Sequence, residues 1–218
     1  MKNVIIAGAS GMIGKLILEW CLQDSRVQKV TSIVRRSSGI EHNKLIEVVH
    51  KDFMDYCAIE DSFKNQDLCF YCIGVYTGAV PTEEFKKITV DYTRVFAETL
   101  KSNSPGAGFC FLSGQGADLN EKSKILFARE KGIAENILID TKFDALHIFR
   151  PGYIYPSVKR KEPNLMYRLL RILYKSLSFV YPNIGTTSNH LAKTMFLVGL
   201  SNNKKMIFEN EDIRKFVC

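Results

Sequence analysis

Three glycines near the amino terminus have a spacing that suits phosphate binding. Gly8, Gly11 and Gly14 follow the apolar run at residues 4–7 and open a helical pattern. In such a strand–turn–helix unit the first glycine permits a sharp turn, the second clears the backbone for a pyrophosphate, and the third lets the helix pack closely on the strand. The N–H groups at the helix start attract the phosphates. The predicted dinucleotide site comprises Gly8, Ser10, Gly11, Met12, Ile13 and Gly14.

The second predicted strand, residues 30–34, ends in Arg35 and Arg36. A chain that binds NAD usually has a carboxylate here, which binds the ribose hydroxyls and repels a 2′-phosphate. Arginine does the opposite, because it pairs with the phosphate and stacks on the adenine. We therefore expect NADP(H) to be preferred over NAD(H). The alternative is that both arginines form a solvated strand end.

Two further predicted strands end in residues that suit the adenosine half of a dinucleotide. Asp52 and Phe53 follow the third strand, where a carboxylate comes near the adenine amino group. Ile73 and Gly74 follow the fourth strand, where a glycine lets the backbone approach the ribose. We expect all four residues to contact the cofactor.

The last two predicted strands end in residues that suit the reacting half of the cofactor. Ser113 places a hydroxyl at the end of the fifth strand, and Lys131 lies on the helix that follows. Pro151 and Gly152 follow the sixth strand, where a rigid backbone borders the nicotinamide. Each residue type is common by itself, so the prediction depends on their order and spacing.

Strand-like and helical segments alternate along the chain, which predicts an α/β fold with a doubly wound parallel sheet, the Rossmann fold. The predicted strands are residues 4–7, 30–34, 47–50, 68–73, 108–112 and 145–149. The predicted helices are residues 12–23, 82–102, 121–141, 164–176 and 189–200. We expect one domain over residues 1–218, in which irregular chain at residues 157–218 caps the carboxyl ends of the strands.

Charge is divided unevenly between the two parts of the chain. Residues 1–156 contain 19 basic and 19 acidic residues, whereas residues 157–218 contain 11 basic and 4 acidic ones. The net charge of +7 therefore belongs to the second part. It suits an anionic substrate, an acidic protein partner, a membrane surface or a plain solvated face. No nucleic-acid-binding motif accompanies it.

The six cysteines are scattered, mostly in apolar segments, so we expect reduced thiols and a cytoplasmic protein. Cys69 and Cys72 lie three residues apart in a predicted strand and should point to opposite faces. With no second cysteine pair or nearby histidine, no metal site is expected. The sequence also has no signal-peptide pattern and no apolar run long enough to span a bilayer.

The combination of these motifs resembles the atypical short-chain dehydrogenases/reductases over essentially the whole chain, and most of all the Tat-interacting-protein oxidoreductase family. The matching segments are residues 8–14, 34–36, 67–74, 111–117 and 149–152. The resemblance implies an NADP(H)-binding Rossmann fold. It also implies a Ser–Tyr–Lys catalytic set, with the tyrosine and lysine in a Y-x-x-x-K unit on one helix.

In this family pattern the serine orients a carbonyl, the tyrosine exchanges a proton, and the lysine binds the ribose and lowers the tyrosine pKa. Ser113 matches the serine and Lys131 the lysine, but Phe127 stands where the tyrosine belongs. Phenylalanine has no ionisable proton and cannot act as a general acid. Losing a positioned acid forfeits about 10²- to 10⁴-fold in rate.

Three interpretations follow from this departure. In the first, the protein reduces a carbonyl or acyl compound with another acid, for which Tyr76, Tyr153 and Tyr155 are candidates. In the second, it binds NADP(H) without turnover, as a sensor or scaffold. In the third, the basic helix predicted at residues 164–176 contacts an anionic membrane or covers an acyl-binding pocket, the alternative being an amphipathic helix packed on the sheet. The sequence does not name the substrate or the oligomeric state.

Overall fold

The computed structural model describes residues 1–157, 174 and 181–216, except for the side chain of Pro182. The helix predicted at residues 164–176, with its basic stripe of Arg168, Arg171 and Lys175, lies outside the described residues apart from Tyr174.

The described chain contains a parallel sheet of seven strands and a separate parallel pair. The strands are β1 (Lys2–Ala7), β2 (Val27–Val34), β3 (Leu45–Val49), β4 (Leu68–Tyr71), β5 (Gly108–Leu112), β6 (Leu146–Arg150), β7 (Tyr153–Tyr155), β8 (Gly185–Thr187) and β9 (Ile207–Glu209). The main sheet has the order β3-β2-β1-β4-β5-β6-β9, and β7 pairs with β8. Six of these strands have the order of a doubly wound dinucleotide-binding sheet, which confirms the predicted fold class.

Helices cover both faces of the sheet. They are α1 (Met12–Gln23), α2 (Thr82–Lys86), α3 (Tyr92–Asn103), α4 (Leu126–Asp140), α5 (Ser188–Gly199) and α6 (Asn210–Lys215). A π-helical turn, Lys87–Asp91, joins α2 to α3, and 3-10 helices span Cys57–Phe63 and Pro182–Ile184. No described helix is both long and apolar enough to cross a membrane.

Alternate residues of each central strand enter two separate cores. In β1, Val4 and Ile6 pack beneath α1 and α5, whereas Ile5 packs on the opposite face beneath α3 and α4. The period of two in an extended chain causes this division. Cys69 and Cys72 likewise belong to opposite cores, as predicted from their spacing.

The helix predicted from residue 121 begins instead at Leu126. The side-chain carboxylate of Asp118 accepts hydrogen bonds from the backbone N–H groups of Asn120, Lys122 and Ser123, at 2.7–3.0 Å. Glu121 within this loop has a φ of 62°. Because these N–H groups bond to a side chain, the segment forms a turn rather than the first turn of the helix.

Residues 181–216 are more regular than expected after Pro156. Helix α5 matches the helix predicted at residues 189–200 and covers the sheet beside α1, and β9 pairs in parallel with β6. These elements join the Rossmann layers, and the cap predicted at residues 157–218 stays a prediction. Strand β9 has only three residues, too few for an alternating pattern to reveal it.

We predict that Gly14→Ala lowers the free energy of unfolding by about 1–3 kcal/mol, because a Cβ atom at Gly14 overlaps the carbonyl oxygen of Gly8. Gly106→Ala is the matched control, since a Cβ atom there meets nothing within 4 Å. Urea denaturation measures both. Equal stability of the two variants contradicts the close approach of α1 to β1.

Candidate functional site

The residues predicted to bind a dinucleotide lie at one edge of the sheet. Because β1, β2, β4, β5 and β6 are parallel, their carboxyl ends meet there. The glycine loop follows β1, Arg35 follows β2, and Ser113 follows β5. This edge, beside the reversal of strand order at β1 and β4, is where ligands bind in open α/β sheets.

The glycine loop has the geometry expected of a phosphate-binding turn. Gly8 has a φ of 87°, and a Cβ atom there lies 2.8 Å from the carbonyl carbon of Cys72. The Gly11 N–H donates to the carbonyl of Gly8 at 2.9 Å. Gly11 is also the N-cap of α1, whose first turn carries no acidic residue. The loop therefore presents side-chain-free backbone and a helix N-terminus to an anion.

Further predicted contacts of the adenosine half follow β2 and β3. Arg35 and Arg36 are exposed, and neither makes an ion pair with the described part of the chain. Asp52 accepts a hydrogen bond from the N–H of Met54 at 3.0 Å, while Phe53 is buried and stacks on Tyr92 with ring centroids 5.6 Å apart. Phe53 is thus mainly a core residue.

The end of β4 lies directly beside the glycine loop. The Cys72 N–H donates to the carbonyl of Ala7 at 2.8 Å, so the chain leading to Ile73 and Gly74 continues alongside β1. Burial raises the pKa of the Cys72 thiol to about 12, and the thiol stays protonated. A Cβ atom at Gly74 meets nothing within 4 Å, which leaves open space at this point.

Ser113 is engaged with a carboxylate that the sequence analysis did not identify. Its hydroxyl donates to Oε1 of Glu135 at 2.5 Å, and Glu135 is fully buried on α4. Arg150 binds both oxygens of Glu135 and also Oε1 of Glu209 at 2.9 Å. The hydrogen bonds that Arg150 donates to Glu135 raise the pKa of the Arg150 guanidinium. Because a hydroxyl has one proton, Ser113 can only accept from a further partner.

Lys131 is buried one helical turn before Glu135. Its ammonium donates to the carbonyl of Leu112 at 3.0 Å and lies 4.8 Å from the centre of the Phe111 ring. Burial lowers the pKa of Lys131 to about 8, and the charge of Glu135 acts in the opposite direction. The lysine predicted to bind the cofactor ribose is therefore held at the end of β5.

Phe127 lies on the same helix, one turn before Lys131, and its ring packs against Gly114. A Cβ atom built on Gly114 overlaps Cζ of the ring, and lies 3.1 and 3.4 Å from Cε1 and Cε2. The ring tip thus takes up the space beside the end of β5.

The alternative proton donors lie on two separate segments. Tyr76 is partly buried in the chain after β4. Tyr153 and Tyr155 lie on β7, and Tyr155 stacks on Tyr174 with ring centroids 4.8 Å apart. Among the described residues, no group of three or more His, Cys, Asp and Glu side chains is arranged to hold a metal ion.

Asn210 holds the turn at Pro151 and Gly152 and, like Glu135, was not identified from the sequence. The buried amide of Asn210 accepts from the Gly152 N–H at 2.9 Å and donates to the carbonyl of Asn183 at 3.0 Å. The N–H of Gln115 donates to the carbonyl of Pro151 at 2.8 Å. Glu135 and Asn210 are polar residues on predicted or short helices, and only their burial reveals their roles.

The sequence is similar to several curated proteins. Protein HTATIP2 of Rattus norvegicus is 31% identical over 165 residues, which are 74% of this chain and 66% of that protein, just under two thirds of its length. Protein FMP52, mitochondrial, of Meyerozyma guilliermondii is 23% identical over 201 residues, 91% of this chain and 85% of that protein. No family model matches the sequence.

Solved structures share the fold. A short chain dehydrogenase family protein from Francisella tularensis has a TM-score of 0.68 at 17% identity, covering 99% of this chain and 100% of that one. The Bordetella bronchiseptica enzyme WbmH, solved in complex with NAD+, has a TM-score of 0.69 at 17% identity, covering 95% of this chain and 74% of that one.

We predict that the free energy of unfolding depends on pH through the titration of Lys131. Between about pH 8 and its ordinary pKa of 10.5, the unfolded chain holds a proton at Lys131 that the folded chain lacks, so stability rises with pH. Relative to Lys131→Met, the wild-type free energy of unfolding should rise by up to about 3 kcal/mol across this window. Denaturation at several pH values measures it, and parallel profiles contradict it.

Proposed function

Since the chain belongs to the atypical short-chain dehydrogenases/reductases, a group of NAD(P)-binding oxidoreductases with a Rossmann fold, we propose that it binds NADP(H) at the Gly8–Gly14 loop. A bound nicotinamide dinucleotide supplies a hydride donor or acceptor there. The left-handed turn at Gly8, the bare backbone at Gly11 and the start of α1 fit its pyrophosphate.

The preference for NADP(H) over NAD(H) is supported by Arg35 and Arg36. Both are exposed at the end of β2, and the described residues offer them no carboxylate partner. Two guanidinium groups without an ion pair suit the 2′-phosphate. WbmH was solved with NAD+, but its likeness to this chain is one of fold.

The catalytic half of the site departs from the family pattern at Phe127. The Lys131 ammonium donates to the Leu112 carbonyl, the ring of Phe127 offers no proton, and the Ser113 proton is bonded to Glu135. We propose a reductase-like protein whose tyrosine-dependent turnover is low or absent. Any reduction of a carbonyl or acyl compound then depends on another acid, for which Tyr76 and Tyr153 are the candidates.

A second candidate function is a sensor or scaffold that binds NADP(H) without turnover. Two hydroxyl groups are unavailable for proton transfer, which favours this function. The tyrosine hydroxyl is absent at Phe127, and the Ser113 hydroxyl is hydrogen-bonded to Glu135. The basic residues 157–218 suit a protein partner or a membrane surface in this function. The cytoplasmic location stays a prediction, and several relatives carry a mitochondrial label.

We expect the wild-type protein to bind NADPH more tightly than NADH. Replacing Arg35 and Arg36 by alanine should weaken NADPH by about 10- to 100-fold, because charge-assisted hydrogen bonds to the 2′-phosphate are lost, and should leave NADH nearly unchanged. Fluorescence titration measures both affinities. Lys204→Ala with Lys215→Ala is the control, since it removes two exposed positive charges at the opposite sheet edge, beside β9. Equal weakening of both cofactors rejects the assignment.

Single-turnover oxidation of bound NADPH separates the two candidate functions. With a panel of aldehydes, ketones and acyl thioesters, a sensor shows bound NADPH and no oxidation. A reductase shows oxidation that Tyr76→Phe or Tyr153→Phe lowers by about 10²- to 10⁴-fold, because the substitution removes the acid. Oxidation that survives both substitutions contradicts the choice of these tyrosines.

A further inference from the structure

The ring of Phe127 occupies the space that a side chain at position 114 would need. A Cβ atom at Gly114 overlaps Cζ, and the two Cε atoms follow at 3.1 and 3.4 Å. Since Cζ is nearest and the Cε atoms are almost equally distant, the tip of the ring points at Gly114. A side chain at position 114 and the ring in this position therefore exclude each other.

Ser113 and Gly114 are neighbours that meet different residues of α4. The Ser113 hydroxyl turns toward the buried carboxylate of Glu135, which is fixed by Arg150. Gly114 turns toward Phe127. Of the two residues, it is Gly114 that faces position 127.

We propose that Gly114 and Phe127 are a matched pair in which the ring occupies the space of an absent side chain. The position that should present an orienting hydroxyl to residue 127 is then Gly114, and Ser113 is a structural partner of Glu135. Both hydroxyls of the family pattern are missing together. The assignment of the lost hydroxyls rests on the proposed function, whereas the exclusion between the two positions is a property of the fold.

One consequence concerns the hydroxyl that Phe127→Tyr introduces. It extends from Cζ toward the backbone of Gly114. A side chain at position 114 displaces the ring. The hydroxyl that Gly114→Ser introduces then lies beside the displaced phenol.

The first test is a double-substitution cycle on thermal stability. Gly114→Ala should lower Tm by about 2–12 °C in the wild type, because the added methyl group meets the ring. In a Phe127→Leu background, which lacks Cζ, the same substitution should change Tm by less than about 2 °C. Gly106→Ala is the control in both backgrounds, since its Cβ atom meets nothing. An equal fall in both backgrounds overturns the proposal.

The second test is an absorbance titration of the introduced phenol, which needs no substrate. In the double variant Gly114→Ser with Phe127→Tyr, the pKa of this phenol should fall about one unit below its ordinary value of about 10, because the hydroxyl that Gly114→Ser introduces donates a hydrogen bond to the phenolate. In Phe127→Tyr alone it should not fall. A lowered pKa in the single variant, or none in a folded double variant, overturns the proposal.

These outcomes are separable from a failure of the proposed function. If the wild type binds neither NADPH nor NADH, the proposed function is wrong, and the stability cycle still decides whether Gly114 and Phe127 exclude each other. The cycle also does not depend on the folding of the serine–tyrosine variant, because it uses alanine and leucine only.

Discussion

Glu135 is fully buried, and a buried carboxylate is costly unless charge and hydrogen bonds compensate it. Arg150 binds both of its oxygens, and Ser113 donates its hydroxyl proton to one of them. This set joins α4 to the ends of β5 and β6, and Glu209 extends it to β9. Ser113, Lys131 and the Arg150–Gly152 turn lie on these elements or directly after them. The pairing of the Glu135 carboxylate therefore also holds these parts of the candidate site in position.

The two halves of the site are built differently. The proposed pyrophosphate site depends on the backbone: Gly8, Gly11 and Gly14 allow a tight turn and a close helix. The proposed reacting half would depend on side-chain protons, but Phe127 has none and the Ser113 proton is hydrogen-bonded to Glu135. A chain can therefore retain cofactor binding while it loses proton transfer, since the two properties rest on different atoms.

Local signals explain which predictions are confirmed. The α/β class with a parallel sheet and the position of α1 were predictable because glycine spacing and apolar periodicity act over a few neighbours. The start of α4 was not, because the Asp118 side chain binds the N–H groups of residues 120–123. Strand β9 was missed because it has three residues and gains its stability from pairing with β6.

The sequence by itself determined the Rossmann fold and the place of the cofactor loop, because glycine conformation and hydrophobic periodicity are local properties. It also determined that Phe127 cannot donate a proton. Only the tertiary structure decided where the Ser113 proton goes, that Gly114 rather than Ser113 faces Phe127, and that Glu135 and Asn210 hold the site together. These facts depend on contacts between side chains from distant parts of the chain. The spacing of residues along the sequence does not predict such contacts.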